Sequence, residues 1–141
     1  METKDIQKWD YRLKIIKRLR SLRKKHGIKI RLLMTTGCVE HWFMLHYKMF
    51  APPIQTVAEK ERIIAELIEQ VPDYQKGDFH STSKIAQKYP TAVKNAKKTL
   101  SNLLQGGLPS LEDTDERNCW LCRNCPTFSN VYEAIEFLIN L

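Results

Sequence analysis

The punctuation of this chain limits what it can fold into. Pro52-Pro53, Pro72, Pro90 and Gly106-Gly107 cut it into short segments, and within each segment the apolar residues recur every third or fourth position. That spacing lines one face of an α-helix, whereas a half-buried strand needs strict alternation. From Asp5 to His26, Ile6, Trp9, Leu13, Ile16 and Leu19 form one stripe, and His26-Gly27 supplies a terminating cation and a left-handed stop. Val39, Trp42, Phe43, Leu45, Met49 and Phe50 mark a short apolar helix that Pro52-Pro53 must end, because proline donates no backbone hydrogen bond.

Thr56-Val-Ala-Glu59 reads as a capping box opening a helix with Val57, Ile64, Leu67, Ile68 and Val71 on one side. Residues 72–83 read as a polar loop, with a short helical turn from Ser83 to Lys88. The next helix carries Val93, Ala96, Leu100, Leu103 and Leu104, and a last one, capped by Ser129, carries Val131, Ala134, Ile135 and Leu138. Across Ile28–Thr36, Ile28, Ile30 and Leu32 alternate with Lys29 and Arg31, a strand pattern with no evident partner, so an extended connection or a continuing helix is expected. Leu108–Asn118 reads as a surface linker. The expectation is an all-α fold: residues 1–141 as a single compact bundle of five or six helices, comprising a basic N-terminal helix and extension (1–31) and a Cys-rich knuckle (117–127), a short turn before the C-terminal helix.

Charge is distributed unevenly along this framework. Twelve of the 23 lysines and arginines lie in residues 1–31, against three of the 16 acids, and between Lys14 and Arg31 there is no acid at all. A concentrated positive field attracts polyanions far better than the same charge spread over a surface. Lys14, Lys17, Arg18, Lys24, Lys25, Lys29 and Arg31 are the expected phosphate contacts to DNA or RNA, weakly sequence-specific by nature. Trp9 and Tyr11 could stack on bases, although Trp9 belongs to the apolar stripe. An acidic protein surface, an anionic membrane surface, or a cationic face that serves only solubility would use the same charge.

The sharpest chemical signal is Cys119-Trp-Leu-Cys122-Arg-Asn-Cys125. Thiolates two residues apart can hold one tetrahedral ion, and three of the chain's four cysteines fall in this run. The expected ligands of a structural Zn2+ are Cys119, Cys122, Cys125 and His80, with Cys38 or His41 as alternative fourth donors. Three plain thiols are the competing reading. A ferredoxin-like cluster lacks its usual fourth cysteine, and a Cys-x-x-Cys redox role lacks a strand–helix setting. A closed zinc shell leaves no position for water, and only Glu133 and Glu136 offer a nearby base, so a structural role is expected over a catalytic one.

His41 and His46 bracket an apolar stretch and read as satisfied boundary residues ahead of ligands or acid–base groups. Trp42, Phe43, Tyr47 and Phe50 read as core first and as a partner groove second. No phosphate-binding Gly-rich loop, nucleophile elbow or His-Glu-x-x-His helix is present, so nothing specific suggests an enzyme. No stretch approaches the ~20 apolar residues that span a bilayer, and Met1-Glu-Thr-Lys-Asp lacks a signal peptide's apolar segment. An intracellular location, in cytoplasm or nucleus, is expected. The leading expectation is a non-enzymatic basic regulator that binds nucleic acid through its first helix. The rival is a protein-interaction adaptor, such as a viral or phage accessory factor, that captures a host protein through an aromatic-rich surface.

Overall fold

The computed structural model describes the backbone of residues 3–27 and 30–141, and the side chains of residues 8–22, 27 and 30–141. Among them lie seven α-helices: α1 (Thr3–His26), α2 (Val39–Met44), α3 (Val57–Gln70), α4 (Phe79–Ala86), α5 (Tyr89–Leu103), α6 (Asp115–Asn124) and α7 (Tyr132–Ile139). A 3-10 turn, Leu104–Gly106, follows α5. No described residue belongs to a strand, and the fold is all-α.

The count exceeds the expected five or six because the linker is shorter than its composition suggested. Thr114 ends it: the hydroxyl accepts from the Arg117 amide at 3.1 Å and starts α6, with Asp115 and Glu116 in the first turn where the helix dipole favours acids. Cys119 and Cys122 therefore lie inside a helix, not in a turn. Cys125 caps that helix in left-handed geometry (φ 47°), and its amide donates to the Leu121 carbonyl.

Packing groups the chain into two compact units, Met1–Leu32 with Leu103–Cys125, and Leu33–Asn102 with Pro126–Leu141. In the first, α1 packs on α6. Leu13, Leu108, Leu121 and Cys122 are buried, and Trp9 and Ile16 are half-buried. Ile6 of the expected α1 stripe lies outside the described side chains; the stripe holds from Trp9 through Ile16 and then departs, because Leu19 is exposed and Arg20 occupies the inward position. Its guanidinium reaches Asp113, with Nη1 donating to Oδ1 at 3.2 Å and Nη2 to the Asp113 carbonyl at 3.0 Å. Asp113 is the hub of this unit. Its Oδ1 also accepts from Asn118 Nδ2 (3.0 Å) and from Arg117 Nη2 (3.4 Å), and Arg31 lies 3.9 Å from its Oδ2. Arg117 is fully buried and donates further to the Leu111 carbonyl and the Asn118 side chain. A buried guanidinium is tolerated only when its charge and donors are met in this way.

In the second unit, α2 packs on α3, and Met44, Ile54, Ile63, Leu67, Val71, Tyr74 and Ile85 form the core. The capping box at the start of α3 is complete: Thr56 Oγ1 accepts from the Glu59 amide while Glu59 accepts from the Thr56 amide, each at 3.1 Å. The buried face of α3 is rotated from its expected register, centred on Ile63 and Leu67, with Val57 and Ile68 exposed. Part of the expected polar loop is helical, because Asp78 caps α4 through the Ser81 amide at 2.9 Å. The end of the expected Ile28–Thr36 segment does find a partner, while Ile28 and Lys29 lie outside the described residues. Thr35 and Ser129 form an isolated antiparallel bridge, flanked by Thr36 N–H to the Phe128 carbonyl and Asn130 N–H to the Met34 carbonyl, both 3.0 Å.

Candidate nucleic-acid interface

The inward side of α1 is taken up by Leu13, Trp9, Ile16 and Arg20, so the residues between them must face solvent. Lys8, Lys14, Lys17 and Arg18 are all exposed, and none pairs with a described carboxylate. Among the described side chains of α1 the one acid is engaged elsewhere: Asp10 accepts from Arg123 at 2.7 Å. Arg12 lies over the Trp9 ring, 5.0 Å from its centroid, a cation–π contact that holds the guanidinium at the helix surface. Tyr11 sits among these cations and, at 67%, is the most exposed of the large apolar side chains described in the helix.

Of the seven expected phosphate contacts, Lys14, Lys17 and Arg18 thus form one exposed set on α1. Arg31 is turned toward Asp113. The side chains of Lys24, Lys25 and Lys29 lie outside the described residues. Arg20 and Asp113 were not singled out from the sequence. The signal was there in outline, since Arg20 lies four residues after Ile16 and seven after Leu13, on the inward stripe itself.

The cysteine run has a different character. Cys122 is buried, and burial pushes its thiol up to about 11; charge on Cys119 and Cys125 adds to the rise and Arg12 opposes it. The Cys125 thiol donates to the Cys122 carbonyl at 3.2 Å. Cys119 and Cys125 are half-buried. The other expected donors belong to the second unit: His80 is exposed on the first turn of α4, Cys38 precedes α2, and His41 is fully buried within it. Among the described residues, no group of three or more His, Cys, Asp or Glu side chains is placed to hold a metal ion.

α2 holds a buried polar centre in which the sequence flagged Cys38, His41 and His46 but not Glu40. Glu40 is 1% exposed, and its Oε1 accepts from the Tyr74 hydroxyl at 3.0 Å, with Lys76 Nζ at 3.8 Å. Burial raises the Cys38 thiol, and neighbouring Glu40 raises it further. His41 Nε2 donates to the Phe50 carbonyl at 2.7 Å, which leaves Nδ1 as a bare acceptor; that atom and Glu40 Oε2 are buried without a hydrogen-bond partner. Desolvation holds His41 and His46 below the usual histidine range. Trp42 is buried, and Phe43, Tyr47 and Phe50 pack against the core.

A family model described as RloB-like protein matches residues 4–138, a span that includes the basic helix, the buried Glu40 centre and the cysteine run. The chain belongs to the RloB-like family. That description names no activity, substrate or partner. No curated protein and no solved structure matches the chain. No helix of the described residues is long and apolar enough to cross a membrane.

Proposed function

We propose that this RloB-like chain binds nucleic acid through the outward face of α1, chiefly by contact with the phosphate backbone. The observation that carries the reading is the fate of the cations. Lys8, Lys14, Lys17 and Arg18 remain exposed and without a described carboxylate partner, while the arginines needed for structure, Arg20 and Arg117, are held by Asp113. Cations used to hold the fold cannot also condense on a polyanion. Cations left in a cluster lower the potential energy of any phosphate that approaches, and each contact releases a counterion. The proposal uses neither zinc nor a catalytic role.

The test is binding of a labelled oligonucleotide to the full chain across a salt series. The logarithm of affinity should fall linearly with the logarithm of salt, by roughly 0.7 to 0.9 per phosphate contacted. Lys14→Glu, Lys17→Glu and Arg18→Glu together should abolish binding at moderate ionic strength while leaving the helical circular-dichroism signal unchanged. Salt-independent affinity, or wild-type affinity in the triple variant, overturns the reading.

A further inference from the structure

A solvated lysine face has no need of large apolar side chains, yet the outward side of α1 carries four. Tyr11 is 67% exposed, Ile15 44%, Leu19 45% and Leu22 39%. Steps of four, four and three set them along one line of that side. At about 100° per residue, Lys8 and Lys14 lie one turn before and after Tyr11, Arg18 emerges beside it two turns on, and Arg12 borders the far edge of the line. Tyr11 is thus ringed by cations at the N-terminal end of an apolar line.

We propose that this surface takes single-stranded nucleic acid, with Tyr11 as the platform on which an unpaired base stacks; the inference rests on the nucleic-acid reading above and names its substrate class. Unpaired bases present flat apolar faces beside a charged backbone, and the proteins that grip them combine aromatic platforms with flanking cations. A duplex presents phosphate on its outside and hydrogen-bonding base edges in its grooves. Against those edges the described outward face offers arginine but no Asn, Gln or Glu, and its one Asp is tied to Arg123. A helix lying in a membrane needs its apolar side separated from its charged side. Here the apolar line spans only about 80° of the helix and is bordered by Arg18 on one edge and Arg12 on the other, so little apolar surface could enter acyl chains without dragging a charge after it. A second copy of the helix would set like charges against each other.

The experiment compares three labelled 20-mers of one mixed sequence, single-stranded DNA, single-stranded RNA and duplex DNA, with the full chain at a single salt concentration. The single strands should bind at least fivefold more tightly than the duplex, and their relative affinities identify the preferred polymer. Tyr11→Ala should weaken single-strand binding by roughly 5- to 150-fold, as removal of one stacked base does, with little change in the salt slope or in duplex affinity. Tyr11→Phe keeps the ring and should bind as wild type. Duplex binding as tight as single-strand binding, or an unchanged Tyr11→Ala variant, overturns this inference. The wider nucleic-acid reading then still stands if the Lys14, Lys17 and Arg18 charge reversal weakens duplex binding. If that reversal has no effect on any of the three, or if the chain prefers phosphatidylserine vesicles or an acidic helical peptide to all of them, both readings fall.

Discussion

Tyr74→Phe removes one oxygen from the second unit and should cost far more than one oxygen's worth of packing. In the wild type the Tyr74 hydroxyl donates to Glu40 Oε1 at 3.0 Å, and Glu40 is 1% exposed with its other oxygen already lacking a partner. Lys76 lies 3.8 Å away and is largely in solvent, so it supplies charge but no close hydrogen bond. Without the hydroxyl, a buried carboxylate loses the short hydrogen bond at its Oε1. Hydrogen bonds to charged groups contribute about 1.5–3 kcal/mol, and the phenylalanine ring recovers little of this because Tyr74 is already packed against Phe43. The expected loss is about 2 kcal/mol. With a urea m-value of about 2 kcal/mol per molar, the midpoint of unfolding should fall by about 1 M. Glu40→Gln in the same background supplies the control. A neutral amide in that site needs the tyrosine less, so the double variant should lose less than the sum of the single losses, with a coupling of about 1 kcal/mol or more. A midpoint within 0.2 M of wild type for Tyr74→Phe, or strict additivity in the cycle, would show that the contact contributes nothing and that the centre is not a charged one.

Two further outcomes follow from the geometry. Asp113→Asn keeps the shape of the hub in the first unit but leaves the buried Arg117 guanidinium facing a neutral amide; breaking buried pairs costs about 3–5 kcal/mol, and because Arg117 retains the Leu111 carbonyl and Asn118 contacts, about 3 kcal/mol is expected. A melting temperature lowered by less than about 3 °C would refute it. The two buried histidines set a pH dependence: burial lowers both below their ordinary 6.5, so the unfolded chain takes up protons first as pH falls. Their contribution is fully present above about 6.5 and is lost progressively below it, toward the folded-state values. The urea midpoint should decline between pH 7 and 5, and His41→Gln should flatten the decline; a midpoint constant over that range would contradict the burial argument.

Much of the helical framework was legible because its signals are local. The Thr56–Glu59 capping box, Gly27 after α1, and the glycine stop after α5 each act within a few residues, and the structure shows them where the spacing placed them. What was not legible was either a local signal masked by its surroundings or one that depended on partners far along the chain. Thr114-Asp-Glu is a helix start, but set among acids and a proline it resembles a linker, and so α6 was missed and its cysteines were expected in a turn. Residues 34–36 seemed to lack a partner because theirs lies more than 90 positions away and is supplied by Ser129 and Asn130, the first of which reads locally as a helix cap. The same holds for the site. The excess of cations was visible in composition. Which of them the fold would consume was decided by Asp113, a residue unremarkable in sequence and remote from Arg20.

The interleaving of the two units along the chain has a consequence for how the molecule can be taken apart. Each unit is made of two stretches, and each stretch of one is separated by a stretch of the other. No single cut of the polypeptide releases either unit whole. A truncation that removes α7 and the segment before it also strips residues 34–36 of the hydrogen-bonded neighbour that meets their backbone. During synthesis, too, neither unit can close until its second stretch has been made, so both must wait as partly formed intermediates and complete late, through contacts of long sequence separation.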